Sequence, residues 1–394
     1  MKSKFFYLFL LITIYTSCSS CEPVTEPEGI TNDIYFPPGN SETWETKTIS
    51  SLGWNENELQ PLLDFLEEKN TKSFIILHEG KIVVEAYMNG HDESKPWYWA
   101  SAGKTLTTTV SGIAQEEGLI NLNNKVSDYI GNGWTSAPLE KENLITCKNL
   151  LSMNSGLDDS IGDNVSKENL QYAADAGTRW AYHNVYVKMQ DVIAQASNTN
   201  WSNYFNTKLK DKIGMSGAWI QNNDFSVYWS NTRSMARFGL MIYAKGMWND
   251  NQIISEAFLN EATNTSQNIN KSYGYLWWLN GKESYHLPAS QVKFPGKLIP
   301  NAPDDTFAAL GKNDQKIYVV PSKKLVIIRM GESAENSNFA LSSFVKASAS
   351  TPLVLFQEIS RSKLRTPSLC RGVRRSATCS QRGCVASTPT RPGR

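Results

Sequence analysis

Strand-forming residues are confined to the two ends of one long stretch, and that placement limits the folds open to this chain more than any other feature. Ser73-Phe-Ile-Ile-Leu-His78 and Lys81-Ile-Val-Val-Glu-Ala-Tyr87 are β-branched runs separated by Glu79-Gly80, a hairpin signal. Comparable runs return only at Thr306–Leu310, Gln315–Val320 and Leu325–Met330. Between them the apolar residues follow helical spacing, as in 105–117, 185–196 and 234–243. A lone hairpin is marginally stable, so the distant strands are expected to join into one antiparallel sheet. The expected fold is therefore α/β in the α+β sense: a sheet of N- and C-terminal strands flanked by helices, with a mostly helical insert. The seam between sheet and insert is the natural cleft. An amphipathic helix over 55–69, with Leu59, Leu62, Leu63 and Leu66 on one face, packs against the sheet and tolerates Pro61 only near its first turn.

The flanks differ from this body. Residues 1–17 combine Lys2 and Lys4 with the apolar run Phe5–Ile14, too short to span a bilayer, and read as an export signal. Cys18 after Thr16-Ser17 resembles a bacterial lipobox, so the expected partner is a membrane reached through a lipid anchor at Cys18, in the periplasm or on the outer membrane. Residues 18–50, acidic and proline-bearing at their start, read as a tether. The body is expected over 51–344, and 345–394 as an unstructured basic tail, read first as an extension not native to the protein and second as a functional segment for nucleic acid or anionic lipid. From Arg361 onward the tail holds eight arginines and one lysine without an acid. Setting those nine charges and the two of Lys2 and Lys4 aside from the total of +1 leaves residues 18–360 at −10. An acidic body is not a nucleic-acid binder. With 40% hydrophobic residues it can bury a large core.

Four histidines with no Gly-x-Ser-x-Gly elbow and no His-Glu-x-x-His pair argue against a Ser-His-Asp triad or a zinc hydrolase. No phosphate-cradling or dinucleotide glycine loop is present, and no cofactor is implied. What remains is Ser101-Ala-Gly-Lys104 at the head of a helical run. Ser-x-x-Lys also occurs at Ser290, Ser343 and Ser360, but only Ser101 opens an expected helix. There i and i+3 share a face, and the helix N-terminus favours a developing alkoxide. A lysine buried at that end would have a depressed pKa and could act as a base. Equally, Ser101 could be a helix cap and Lys104 a surface charge. Tyr182 and Asn184, in Gly177-Thr-Arg-Trp-Ala-Tyr-His-Asn184 before a helix, are the next candidates. A neighbouring ammonium would favour the Tyr182 phenolate and make it a proton relay. The turn after Ala308-Ala-Leu310 offers a backbone N–H for an oxyanion hole.

Taken as an ordered set, Ser101-x-x-Lys104, Gly177-x-x-Trp180-x-Tyr182-x-Asn184, Ile213-Gly-Met215, Ala236-Arg-Phe-Gly239 and Val319-Val-Pro-Ser322 resemble the serine hydrolases related to class C β-lactamases, over roughly 55–335. The resemblance implies a β-lactamase/transpeptidase-like fold. It further implies Ser101 as acylated nucleophile, Lys104 as base, Tyr182 as second proton-transfer residue and Asn184 as a cleft amide that orients Lys104 or the substrate. Some members have a Gly-x-x-Gly-Gln turn whose second residue donates its N–H to the oxyanion, which points to the backbone of Lys312. The Lys-Thr-Gly of class C enzymes is missing near Gly311-Lys312-Asn313-Asp314, which argues for a small-molecule ester or amide substrate over a β-lactam. The rival expectations are a D-Ala-D-Ala peptidase or β-lactamase, and a non-catalytic acyl-binding lipoprotein. The aromatics Trp97, Tyr98, Trp99, Trp180, Trp277 and Trp278 are expected mainly in the core.

Overall fold

The computed structural model describes residues 34–39 and 43–334. In chain order the principal elements begin with α1 (Leu59–Glu68), β1 (Thr71–His78), β2 (Lys81–Tyr87), β3 (Trp97–Tyr98), α2 (Lys104–Glu116) and α3 (Lys188–Ser197). They continue with β4 (Ala218–Asn222), β5 (Phe225–Ser230), α4 (Thr232–Tyr243), β6 (Trp278–Leu279), β7 (Phe307–Gly311), β8 (Gln315–Val320) and β9 (Leu325–Gly331). The β1–β2 hairpin and the C-terminal strands form one antiparallel sheet, in the order β2-β1-β9-β8-β7-β6. The closing pair is β1 with β9, where Ile75 faces Ile328 and Leu77 faces Val326. Residues at the two ends of the body thus complete each other's ladder, and the insert leaves and returns between them.

Both faces of this sheet are covered, which is why β8 and β9 are buried along their whole length instead of alternating. Helix α1 packs on β1 through Leu62 and Leu66, each worth roughly 2 kcal/mol of burial. Pro61 falls in its first turn, where no intrahelical N–H is required. On the sheet α4 lies so close that a Cβ at Gly239 would come within 2.6 Å of Val326 Cγ1, so only glycine fits. Helix α2 is buried on all sides from Lys104 to Ala114. Its hydroxyls are satisfied locally: Thr109 donates to the Thr105 carbonyl and Ser111 to that of Thr107, while Thr108 reaches the Tyr275 carbonyl. This lets a threonine-rich segment run through a core.

Two expectations change. The insert is not only helical: β4 and β5 form a hairpin to which β3 adds, so a small second sheet flanks the segment that leads into α2. The tether does not extend to residue 50. Trp44 is buried and donates from Nε1 to the Gly80 carbonyl, Ile82 N–H donates to the Glu45 carbonyl, and Lys47 N–H to that of Ile82. Arg237 donates to the carbonyls of Pro37 and Pro38. Backbone pairing along the β2 edge outweighs a composition that reads as linker. The export signal, Cys18 and the basic tail lie outside the described residues.

Candidate active site

Ser101 sits in a turn of 3-10 helix, Ala100–Gly103, that feeds directly into α2. Ala100 has φ +47°, a left-handed conformation rare for a residue with a Cβ, so the chain is strained just before the candidate nucleophile. Lys104, one turn later, is only 2% exposed and donates from Nζ to Ser101 Oγ at 3.0 Å and to Asn184 Oδ1 at 2.8 Å. Nζ also lies 4.4 Å from the centre of the Tyr186 ring and 5.2 Å from that of Tyr182. This lysine is not a surface charge, and Ser101 caps no helix through its side chain. Burial lowers the Lys104 pKa to about 7, against the opposing charge of Asp163. Near neutral pH the amine is therefore half deprotonated, and its lone pair can accept the Ser101 proton.

Tyr182 reaches the same point from the loop before α3. Its hydroxyl interacts with Ser101 and Trp278, and its ring packs among Trp180, Tyr273 and Trp278 at centroid distances of 6.2, 6.2 and 5.5 Å. Burial pushes the phenol up to about 12, more than its hydrogen bonds to Ser101 and Trp278 pull it down. The expectation of a phenolate is thus corrected: desolvation outweighs the nearby amine, and Tyr182 is a protonated phenol able to give and regain a proton. Asn184 bridges inward to Lys104 and outward from Nδ2 to Asp163, with its carbonyl oxygen at 3.3 Å and Oδ1 at 3.2 Å.

The β7 strand ends against the serine turn. A Cβ on Gly311 would lie 2.6 Å from the Trp99 carbonyl oxygen and 3.1 Å from the Ser101 nitrogen, so the approach needs glycine. Lys312 follows with an exposed side chain, and its backbone lies at the same strand end. The turn is rigid: Gln315 donates to the carbonyls of Lys312, Asn313 and Gly331 and accepts from Gly331 N–H. Arg329 donates to the carbonyls of Asn313 and Asp314, and Asn313 Nδ2 donates to the Tyr98 hydroxyl. Asp314 adopts φ +63° and pairs with buried Lys316 at 3.2 Å. The residues before Gly311 are Ala309 and Leu310, buried and without a cation or hydroxyl.

A family model described as Beta-lactamase matches residues 66–342, more than half of the chain. The chain belongs to the beta-lactamase family. Its fold is that of the β-lactamases and transpeptidases, as the solved relatives agree. A putative 6-aminohexanoate-dimer hydrolase from Bacillus anthracis superposes with TM-score 0.64 at 18% identity, covering 85% of this chain and 91% of that one. A putative beta-lactamase from Bacteroides dorei gives 0.61 at 13% identity, covering 78% and 98%. A family VIII carboxylesterase gives 0.54 at 16% identity, covering 75% and 98%. No curated protein matches the sequence. Membership in this family, with esterase and hydrolase structures among its neighbours, supports a serine hydrolase.

Ser101, Lys104, Tyr182 and Asn184 are thus brought together around one hydroxyl, with the Gly311–Lys312 turn beside it. Sequence reasoning missed three contributors. Tyr186 is four residues after Tyr182, a spacing that could have marked it. Gln315 ends the Gly311-x-x-x-Gln315 turn, in which Asp314 adopts a positive φ. Asp163 gave no signal, being one acid in a polar loop. Of the aromatics, Trp99, Trp180, Trp277 and Trp278 are fully buried, while Trp97 and Tyr98 are partly exposed. Among the described residues no group of His, Cys, Asp or Glu side chains is arranged to hold a metal.

Proposed function

We propose that this protein cleaves an ester or amide bond of a small molecule through an acyl-enzyme on Ser101. The observation that carries the reading is the 3.0 Å contact between Ser101 Oγ and a buried Lys104 whose pKa burial brings to about 7. Neutral Lys104 takes the Ser101 proton as Oγ attacks the carbonyl carbon. The backbone N–H groups of Ser101 and Lys312 hold the oxyanion. Lys104 then returns the proton through Tyr182 to the leaving oxygen or nitrogen, and the C–O or C–N bond breaks. Water attacks the Ser101 ester, gives its proton back along the same pair, and releases the acid and free Oγ–H. Asn184 keeps Lys104 aimed at Ser101 throughout.

Two neighbours, named for a 6-aminohexanoate-dimer hydrolase and a carboxylesterase, support an amide or ester as the bond cleaved. The apolar Ala309-Leu310 approach to Gly311 weighs against strong binding of an antibiotic's carboxylate. A panel of a short-chain aryl ester, a chromogenic cephalosporin and a D-Ala-D-Ala peptide tests this. The ester is expected to turn over fastest, and preferential turnover of either of the other two would reject the substrate class. Export and anchoring at Cys18 are part of the proposal. Metabolic labelling with a radioactive fatty acid should be lost in Cys18→Ala, and unchanged labelling would remove the anchor from the account.

A further inference from the structure

Lys104 is a buried cation whose neighbours are a hydroxyl, an amide oxygen and two aromatic rings, and the carboxylate whose charge it feels is that of Asp163. Asp163 touches neither Ser101 nor Lys104. It lies exposed in the polar loop after Gly156 and accepts from Asn184 Nδ2 through both its backbone oxygen and Oδ1. We propose that Asp163 is a positioning residue for the acylation step: it holds the Asn184 amide with its oxygen toward Lys104, and its carboxylate is the counter-charge of the active-site amine. The inference rests on the reading of Lys104 as the base.

A terminal amide can face a partner with either its oxygen or its nitrogen, and only the oxygen suits an ammonium. An acceptor on the far side removes the choice, because the NH2 group is then committed to Asp163. The loop is fixed where this matters. Its base closes through the backbone pair of Asp158 N–H with the Gln171 carbonyl, and Asp159 is ion-paired to Arg179 in the segment that carries Tyr182 and Asn184. The groups facing Lys104 from the other elements do not replace this charge. Tyr182, Tyr186 and Tyr273 are neutral phenols raised by burial, and burial also lowers the His183 pKa, against the charge of its imidazolium.

Asp163→Asn separates charge from geometry, since its amide oxygen can still accept from Asn184. Removing the carboxylate withdraws support for the ammonium, so Lys104 becomes neutral at lower pH and the acid limb of kcat/KM moves down. With the two charges bridged by one amide side chain through contacts of 2.8 and 3.2 Å, and one of them exposed to solvent, the expected displacement is about half a pH unit or more at low salt, shrinking in about 1 M salt. Asp163→Ala also removes the Oδ1 acceptor and leaves Asn184 Nδ2 only the carbonyl of residue 163, so kcat should fall together with the shift. The experiment pairs pH profiles on the aryl ester with a direct titration of the Lys104 Cε resonance in ¹³C-lysine-labelled protein. A parallel downward move of limb and resonance in Asp163→Asn, at unchanged melting temperature, supports the proposal. A resonance that titrates as in the wild type overturns it and leaves Asp163 a loop residue only. Absence of any Ser101-dependent turnover in the wild type would instead defeat the proposed function, while the titration would still decide the role of Asp163.

Discussion

If Lys104 must be neutral to take the Ser101 proton, acidifying the free enzyme should remove activity in proportion to the neutral fraction. An exposed lysine would place that limb near 10. Here burial brings the group to about 7, with the Asp163 charge limiting the fall. The structure adds a 2.8 Å acceptor and two aromatic faces that favour the cation, so the effect of burial must be the larger. For a base of that pKa, roughly nine-tenths of the enzyme is competent at pH 8 and about one-hundredth at pH 5, a fall of about 100-fold in kcat/KM. The assay is hydrolysis of a short-chain aryl ester at low substrate concentration from pH 5 to 9, with protein integrity checked by circular dichroism at each pH. A single acid limb of unit slope centred near 7 is expected. A flat profile across pH 5.5–8.5, or a limb above 9, would refute the assignment. Lys104→Arg supplies the control, because arginine stays protonated and raising the pH should not restore the rate.

Removing the Tyr182 hydroxyl in Tyr182→Phe leaves the aromatic packing with Trp180, Tyr273 and Trp278, so steady-state kinetics should show kcat reduced by roughly 10²–10⁴-fold with little change in melting temperature. Because the phenol is pushed up to about 12, the wild-type profile should show no loss from Tyr182 ionisation below pH 10. Gly311→Ala drives a methyl against the Trp99 carbonyl and the Ala102 nitrogen, so labelling of Ser101 should collapse even where differential scanning fluorimetry finds the protein folded. Trp44→Ala should destabilise by about 3–5 kcal/mol in denaturant titration, since it empties a buried site and strips the Gly80 carbonyl of its donor. Wild-type stability in that variant would restore residues 34–50 to the tether.

What was legible in the sequence follows physical type. The strands around Ile75, Ile317 and Ile327 are written in β-branched residues, and the hairpin at Glu79-Gly80 in its turn, so the sheet and its long-range closure could be read directly. The start of α2 was readable because i and i+3 fix the relation of Ser101 to Lys104 whatever surrounds them. Burial magnitude was not readable. That is why the Tyr182 phenol was expected to ionise, and why the surface reading of Lys104 stayed open until its 2% exposure closed it. Short elements held by tertiary contacts also escaped. The β4–β5 hairpin turns at Asn223-Asp224 and its β4 strand is short and mostly exposed, and the segment around Trp44 depends on that side chain and the β2 edge. Asp163, 21 residues before Asn184, acquires meaning only when the loop folds back.

The central claim is that a covalent acyl intermediate forms on Ser101. Treating the protein with a fluorophosphonate probe and sequencing the modified peptide by mass spectrometry tests it without knowledge of the natural substrate. One adduct is expected, on Ser101, formed faster at pH 8 than at pH 5.5 and absent from Ser101→Ala and from the unfolded wild type. Labelling that persists in Ser101→Ala, or that lands on another serine, would contradict it.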